Sequence, residues 1–254
     1  MIKIAICGAC GKMGANISEL LKGDGEAEYF CGIDPRGGQA GDCGVTVYPS
    51  FKDIKVKPDV IIDFSSPAVL SDELEYAVAN NVPAVIGSTG FTPAQIEEIN
   101  EASKKVAIFR TANFSLGVNL LCQLVKRAAE TLGEKFDIEI IEKHHNQKVD
   151  APSGTALMLA DSAASAFEGG KEYINGREGI CGKRGNEIGM HAVRGGTIVG
   201  EHEVLFCGED EIVTLSHSAR SKKVFAAGAI KAAKWLAGKP AGLYDMTDLL
   251  GDNL

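Results

Sequence analysis

Apolar positions along the chain follow two rhythms in turn. IKIAIC at 2–7 is a short β-branched run, a glycine-containing loop follows it, and Met13, Ile17, Leu20 and Leu21 then recur at helical spacing, which predicts strand, turn and helix. EYFCGID (28–34), DVIIDFS (59–65), PAVIGS (83–88) and VAIFRTA (106–112) are nearly continuous in apolar residues, as strands covered on both faces tend to be. Between them the pattern predicts helices over 67–80 and 92–104, the second with Thr92 as N-cap and Pro93 in its first turn. Strands alternating with helices predict a parallel, doubly wound sheet over roughly the first 110 residues.

The rhythm then changes. Leu116, Leu120, Leu121, Leu124, Val125, Ala128 and Leu132 mark a long helix, and FDIEIIEKHHN (136–146) alternates like a half-exposed strand. After the loop KVDAPSG an Ala-rich helix runs to about Phe167, and the Gly-rich, charged stretch 169–187 reads as a mobile connection. Strands at 188–194, 203–207 and 211–217 and a helix over 221–237 complete the chain. Clustered strands predict a mixed or antiparallel sheet in a second domain of α+β type. No internal repeat is visible.

Composition narrows the function. The 254 residues include 26 Lys or Arg against 34 Asp or Glu, a net charge of −8, with no basic tract. Nucleic acid and anionic membranes need clustered positive charge, so a small-molecule role is favoured. The length allows one large domain or two ordinary ones. The 30 glycines are scattered without a period, pointing to tight turns and close backbone approaches rather than a fibre. No apolar run reaches the roughly 18 residues of a membrane span, and MIKIAIC is too short for a signal-peptide core, so a cytoplasmic location is expected. Seven irregularly spaced cysteines read as reduced thiols.

Gly8, Gly11 and Gly14 form G-x-x-G-x-x-G between the first strand and the first helix, and Asp34 follows Gly14 by twenty residues. Glycines there let the backbone approach a pyrophosphate, and the helix start offers unpaired amides. Together these features predict a dinucleotide site. Asp34 stands where a carboxylate would accept the ribose hydroxyls, whereas Arg36 could meet a 2′-phosphate, so NADH and NADPH both remain open. The rival reading of Cys7-Gly8-Ala9-Cys10 is a redox or metal dithiol; a structural zinc site needs a second ligand pair, which Cys31 and Cys43 do not form, and the loop already accounts for these residues. Gly87-Ser88-Thr89-Gly90 and Thr111-Ala112-Asn113-Phe114 follow two later strands, at the edge where open α/β sheets place ligands.

A second constellation, EKHHNQKVDAPSGTA at 142–156, sets His144 and His145 beside Lys148 and Asp150. Histidine exchanges protons near neutral pH, and lysine offers a cation and a second acid. Adjacent strand residues face opposite ways, so the two histidines should differ in role unless the strand ends there. Ser153 is a candidate N-cap, with the amides of Gly154 and Thr155 directed outward toward an anion. A zinc site is the weaker reading, since no H-E-x-x-H helix accompanies the pair.

With GACGKMG (8–14), ANFSLGVN (112–119), RGGTIVGEHEV (194–204) and FAAGAIKAAKWLAGKPAGLYDMTDLL (225–250), these residues make the whole chain resemble the 4-hydroxy-tetrahydrodipicolinate reductase family. The resemblance implies an α/β fold: an N-terminal Rossmann-like parallel sheet, and a second α+β domain whose mixed sheet builds a homotetramer. It divides the chain into a dinucleotide-binding domain, 1–112 rejoined by 218–254, and a substrate and oligomerisation domain, 113–217. It implies reduction of a cyclic dienic imine dicarboxylate by NADH or NADPH in diaminopimelate and lysine synthesis, without a metal. Cofactor contacts would be Gly8, Ala9, Cys10, Gly11, Lys12, Met13, Asp34, Gly87, Ser88, Thr89, Thr111, Ala112, Asn113 and Phe114. His144 would donate or accept a proton, Lys148 would donate one, and His145, Gly154 and Thr155 would contact substrate. Lys12 and Lys222 stand where the family usually has arginine. Another Rossmann-type dehydrogenase of a small acid would lack a reason for the 142–156 constellation, and a non-catalytic NAD(H)-binding sensor would oxidise no cofactor.

Overall fold

A computed structural model describes residues 1–40 and 44–251; Cys43 and residues 252–254 of the expected C-terminal return lie outside the described residues. The chain divides into two compact units, Met1–Phe114 rejoined from Lys223 onward, and Ser115–Lys222.

The first unit contains β1 (Ile2–Cys7), α1 (Lys12–Leu21), β2 (Ala27–Ile33), β3 (Gly38–Ala40), β4 (Val45–Tyr48), β5 (Val60–Asp63), α2 (Leu70–Asn80), β6 (Ala84–Ile86), α3 (Pro93–Ser103) and β7 (Ala107–Arg110). Among the described residues its sheet runs β13-β7-β6-β5-β1-β2-β4-β3, where β13 is Gly242–Tyr244. Every pairing is parallel except β3 with β4. Ile4, Ile6, Ile61 and Ile62 are fully buried, because helices cover both faces, and this explains the unbroken apolar runs. The strand order reverses at β1, which has β2 on one side and β5 on the other, so a crevice opens beyond its carboxyl end. Thr92 caps α3 in a capping box with Gln95, and Pro93 opens the helix. The short β3, β4 and β13 carry too few residues for a periodic signal and were not anticipated.

The C-terminal helix α6 (Lys223–Leu236) returns to this unit. A Cβ at Gly228 would overlap the carbonyl oxygen of Phe114, so the helix packs there only because the position has no side chain. A short helix, α7 (Met246–Leu250), follows β13.

The second unit contains α4 (Leu116–Leu132), β8 (Asp137–His144), α5 (Gly154–Ala164), β9 (Glu172–Asn175), β10 (Glu187–Arg194), β11 (Glu201–Cys207) and β12 (Ile212–Ser218). Its mixed sheet runs β12-β11-β8-β10-β9: β8 is parallel to β10 and antiparallel to β11. Ile138, Ile140, Ile188, Met190, Val204 and Phe206 face inward and cluster with Leu121 and Val125 of α4 and Leu159 and Ala163 of α5.

The stretch read as a mobile connection, 169–187, instead carries β9 and two anchors. Arg177 and Arg184 donate to Glu139 at 2.9 and 3.2 Å, with His191 at 2.7 Å from the same carboxylate. Burial opposes ionisation of Glu139, but these donors hold its carboxyl down to about 2. The charges that suggested solvation have their partners 38 and 45 residues away, beyond what a local pattern reveals.

Gly228→Ala should destabilise the chain by about 3 kcal/mol, the overlap with Phe114 outweighing alanine's better helix propensity. Gly25→Ala, with nothing within 4 Å of its added Cβ, should change stability by less than about 0.5 kcal/mol. Urea unfolding of both variants measures this; equal midpoints would show that α6 tolerates the methyl group.

Candidate active site

The crevice beyond β1 is built by backbone that only glycine permits. Gly8 has φ +79°, and its Cβ would lie 2.8 Å from the carbonyl oxygen of Phe64, while one at Gly14 would lie 2.5 and 2.6 Å from the carbonyls of Gly8 and Ala9. Gly11 is the N-cap of α1 and supplies no side-chain bond to the helix start, which leaves its amides available to an anion. A cleft of about 480 Å³ is lined here by Gly8, Gly11, Asp34, Arg36, Phe64 and Ser65, among others.

Asp34 is 4% exposed. Its carboxylate accepts from the Cys10 amide at 3.1 Å and from Arg36 Nε at 2.9 Å. The Arg36 guanidinium is the main reason the Asp34 carboxyl lies below its ordinary range, outweighing burial. Asp34 and Arg36, left as alternatives by the sequence, therefore act as one ion pair at the cleft, with Arg36 on its exposed side. Lys12 is exposed and Met13 half-buried at the start of α1.

Phe64, Ser65 and Ser66, which follow β5, also line the cleft and were missed. Their signal was available: DFSSP is a strand end with turn residues, like the two segments that were singled out. The Asp63 carboxylate accepts from the Ser65 amide at 2.8 Å, and a Cβ at Gly87 would meet the Phe64 ring at 2.6 Å. Residues 87–89 and 111–114 follow β6 and β7 at the same sheet edge but are not part of that cleft's lining. Phe114 packs on Phe64 with ring centroids 5.4 Å apart. Cys7 is buried, which pushes its thiol well above the ordinary range, and its Sγ lies 3.5 Å from Ser65 Oγ. Among the described residues no cluster of His, Cys, Asp and Glu could hold a metal ion.

In the second unit β8 ends at His144, so strand alternation places that side chain inward at 11% exposure and leaves His145 in the following turn. His144 Nδ1 lies 2.6 Å from Glu142 Oε2. Glu142 is 1% exposed and meets Arg194 through two 2.7 Å bonds. The pairing follows from register, since Arg194 lies beside His144 in the parallel β8–β10 pair and His202 lies opposite Glu142 on β11. Ser153 caps α5 by accepting from the Ala156 amide, and its Oγ lies 3.0 Å from His202 Nε2. Gly154, exposed, and Thr155, half-buried, open that helix. Lys148 Nζ is bound to both Asp150 oxygens at 2.8 Å.

Glu142, Arg194 and His202 were not among the sequence candidates. Glu142 carried a signal: it falls on the face of β8 that Ile138 and Ile140 make apolar, where a carboxylate demands a partner. Arg194 and His202 had none that a single strand could show.

Comparisons with known proteins fall on both units. The family profile "Dihydrodipicolinate reductase, N-terminus" matches residues 2–114, and "Dihydrodipicolinate reductase, C-terminus" matches 117–250. The 4-hydroxy-tetrahydrodipicolinate reductase of Caldanaerobacter subterraneus subsp. tengcongensis is 48% identical over 251 residues, covering 98% of each chain. A dipicolinate-bound dihydrodipicolinate reductase from Paenisporosarcina sp. TG-14 superposes with a TM-score of 0.82 at 28% identity, again over 98% of each chain. A myo-inositol dehydrogenase from Lactobacillus casei, in complex with NAD(H) and myo-inositol, has a TM-score of 0.61 at 14% identity over 98% of this chain and 90% of its own, a likeness of fold alone.

Burial, and then the neighbouring His144, push His202 down to about 4. The unfolded chain takes up this proton near pH 6.5 and the folded chain only near 4, so the stability it contributes is complete above 6.5 and is lost as pH falls toward 4. Between pH 7 and pH 5 this amounts to about 2 kcal/mol. His202→Gln should remove that part of the slope in urea unfolding; a variant with the wild-type slope would show that His202 binds its proton alike in the folded and unfolded chain.

Proposed function

The chain belongs to the dihydrodipicolinate reductase family, and from that premise we propose how its residues divide the reaction. It is an NAD(P)H-dependent oxidoreductase that reduces 4-hydroxy-tetrahydrodipicolinate to tetrahydrodipicolinate, in diaminopimelate and lysine biosynthesis.

The first unit fits a dinucleotide, because Gly8 and Gly14, where a Cβ would collide with neighbouring backbone, hold the turn tightly against the start of α1, which no side chain caps. Gly8, Ala9, Cys10, Gly11, Lys12 and Met13 would hold the pyrophosphate, Asp34 and Arg36 the adenosine ribose, and Gly87 to Thr89 and Thr111 to Phe114 the rest. When bound, NADH or NADPH supplies a hydride.

The second unit handles the dicarboxylate. Once the substrate has lost its hydroxyl and accepted a hydride, an electron-rich, enamine-like carbon remains to be protonated. His144 delivers that proton and Lys148 serves as a second donor, while His145, Gly154 and Thr155 hold the carboxylates with charge and helix-start amides. The observation that carries this assignment is the pairing of His144, at 2.6 Å, with a buried carboxylate that also accepts from the Ser153 amide at the start of α5. Dipicolinate in the Paenisporosarcina relative is a ligand of the same ring-dicarboxylate class. Lys148 would exchange Asp150 for substrate on binding.

A homotetramer built on the outer face of the second sheet is part of the proposal. Val193 and Ile212, 45% and 63% exposed on that face, support it. A cytoplasmic setting is part of the proposal and accords with the free thiols of the six described cysteines; no described helix is long and apolar enough to cross a membrane.

Supplied with the condensation product of pyruvate and aspartate semialdehyde, the chain should consume NADH and NADPH, followed by loss of absorbance. His144→Ala should lower kcat by about 10²- to 10⁴-fold with little change in cofactor affinity. Near-normal turnover would remove His144 from the chemistry, and no cofactor oxidation by the unmodified chain would leave only a binding role.

Asp34→Ala should lower kcat/KM for NADH about tenfold more than for NADPH, since it removes an acceptor for the ribose hydroxyls; Arg36→Ala should do the reverse. Steady-state kinetics with both cofactors decide this. Equal losses for the two cofactors in each variant would mean that the pair only shapes the loop.

A further inference from the structure

Proton delivery by His144 requires one tautomer, and the surroundings of its ring select it. Glu142 Oε1 accepts from the Ser153 amide at 3.0 Å and from one Arg194 nitrogen at 2.7 Å. Its Oε2 accepts from the other Arg194 nitrogen at 2.7 Å and lies 2.6 Å from His144 Nδ1. Burial opposes ionisation of Glu142, but the bonds from Arg194, His144 and the Ser153 amide outweigh it and keep the carboxyl below its usual range. An ionised carboxylate only accepts hydrogen bonds. His144 must therefore present N–H at Nδ1.

Nε2 is then the nitrogen left to exchange protons, and the chain keeps its surroundings clear. A Cβ at Gly200 would lie 3.1 Å from Nε2 and 3.4 Å from Cδ2. His202 stands edge-on to the ring at a centroid distance of 5.2 Å, and being neutral at pH 7 it places no second cation there.

We propose that Glu142, held by Arg194, is a positioning residue that fixes the His144 proton on Nδ1 and commits Nε2 to proton transfer, with Gly200 keeping that nitrogen accessible. The inference rests on the reading of His144 as the proton donor. In the transfer, the enamine electron pair forms the new C–H bond while the Nε2–H bond breaks. Its electron pair stays on nitrogen, leaving a neutral ring with Nδ1–H still on Glu142, and solvent restores the proton. The carboxylate neutralises the imidazolium before transfer and prevents the ring from turning its lone pair toward Glu142.

Two-bond ¹H–¹⁵N spectra of the full chain, labelled at histidine and assigned by comparison with His144→Ala, should show neutral His144 as the Nδ1–H tautomer. Glu142→Gln should shift it toward Nε2–H and lower kcat at least tenfold, with KM for the dicarboxylate and for NADH within threefold of wild type. Glu142→Asp, which keeps the charge one methylene further back, should fall between the two in kcat. An Nε2–H tautomer in the wild type overturns the proposal even if Glu142→Gln does not fold. Wild-type kcat in Glu142→Gln, or a kcat loss with the tautomer unchanged, overturns it as well. Failure of the proton-donor reading itself is seen separately, as turnover by His144→Ala.

Discussion

A carboxylate buried at 1% exposure is the constraint around which the second unit is arranged. Glu142 lies where the apolar inner face of the sheet gives way to His144, His202 and Arg194, and an unpaired charge at that burial would cost several kcal/mol. Four donors answer it: both terminal nitrogens of Arg194, the Ser153 amide and His144 Nδ1. These come from β10, the start of α5 and β8 itself, so strand register, helix entry and ring orientation are set by one group. Arg194 extends the tie by donating to the Asp150 carbonyl at 2.7 Å, which joins the 145–152 loop to the same centre.

The first unit solves a different problem by subtraction. Its cleft exists because backbone segments approach each other where side chains would collide: the Gly8 and Gly14 turn, Phe64 against Gly87, and α6 against Phe114 at Gly228. Each contact is a missing Cβ, and each brings a segment to the carboxyl edge of the parallel sheet or seals the layer behind it. Among the described residues no side chain caps the start of α1, while the layers around it are closely packed. The glycine excess seen in the composition is in part this packing requirement.

The two units also use charge differently. In the first, Asp34 and Arg36 form a pair with one member buried and the other 66% exposed, so the arginine head stays solvated while it neutralises the buried carboxylate. In the second, Glu142 and Arg194 are held by two short bonds below the surface and act as a fixed scaffold. Lys148, paired among the described residues with the half-exposed Asp150, again forms a pair at the surface.

Much of this was legible in one dimension. Apolar periodicity specified β1, β5, β6 and β7, the helices between them and β8, because burial on one or two faces writes a local pattern of period 2 or 3.6. The spacing of Gly8, Gly11 and Gly14 marked the turn between β1 and α1, with Asp34 just after the next strand, and the adjacency of His144, Lys148 and Ser153 marked the end of β8 and the start of α5, since each group is close in the chain. Tertiary structure decided what depends on pairing across elements. Glu142 meets Arg194 across 52 residues, Arg177 reaches Glu139 across 38, and His202 meets Ser153 across 49. Such partners are chosen by strand order and register, which result from packing the whole sheet at once and leave no mark on the residues nearby.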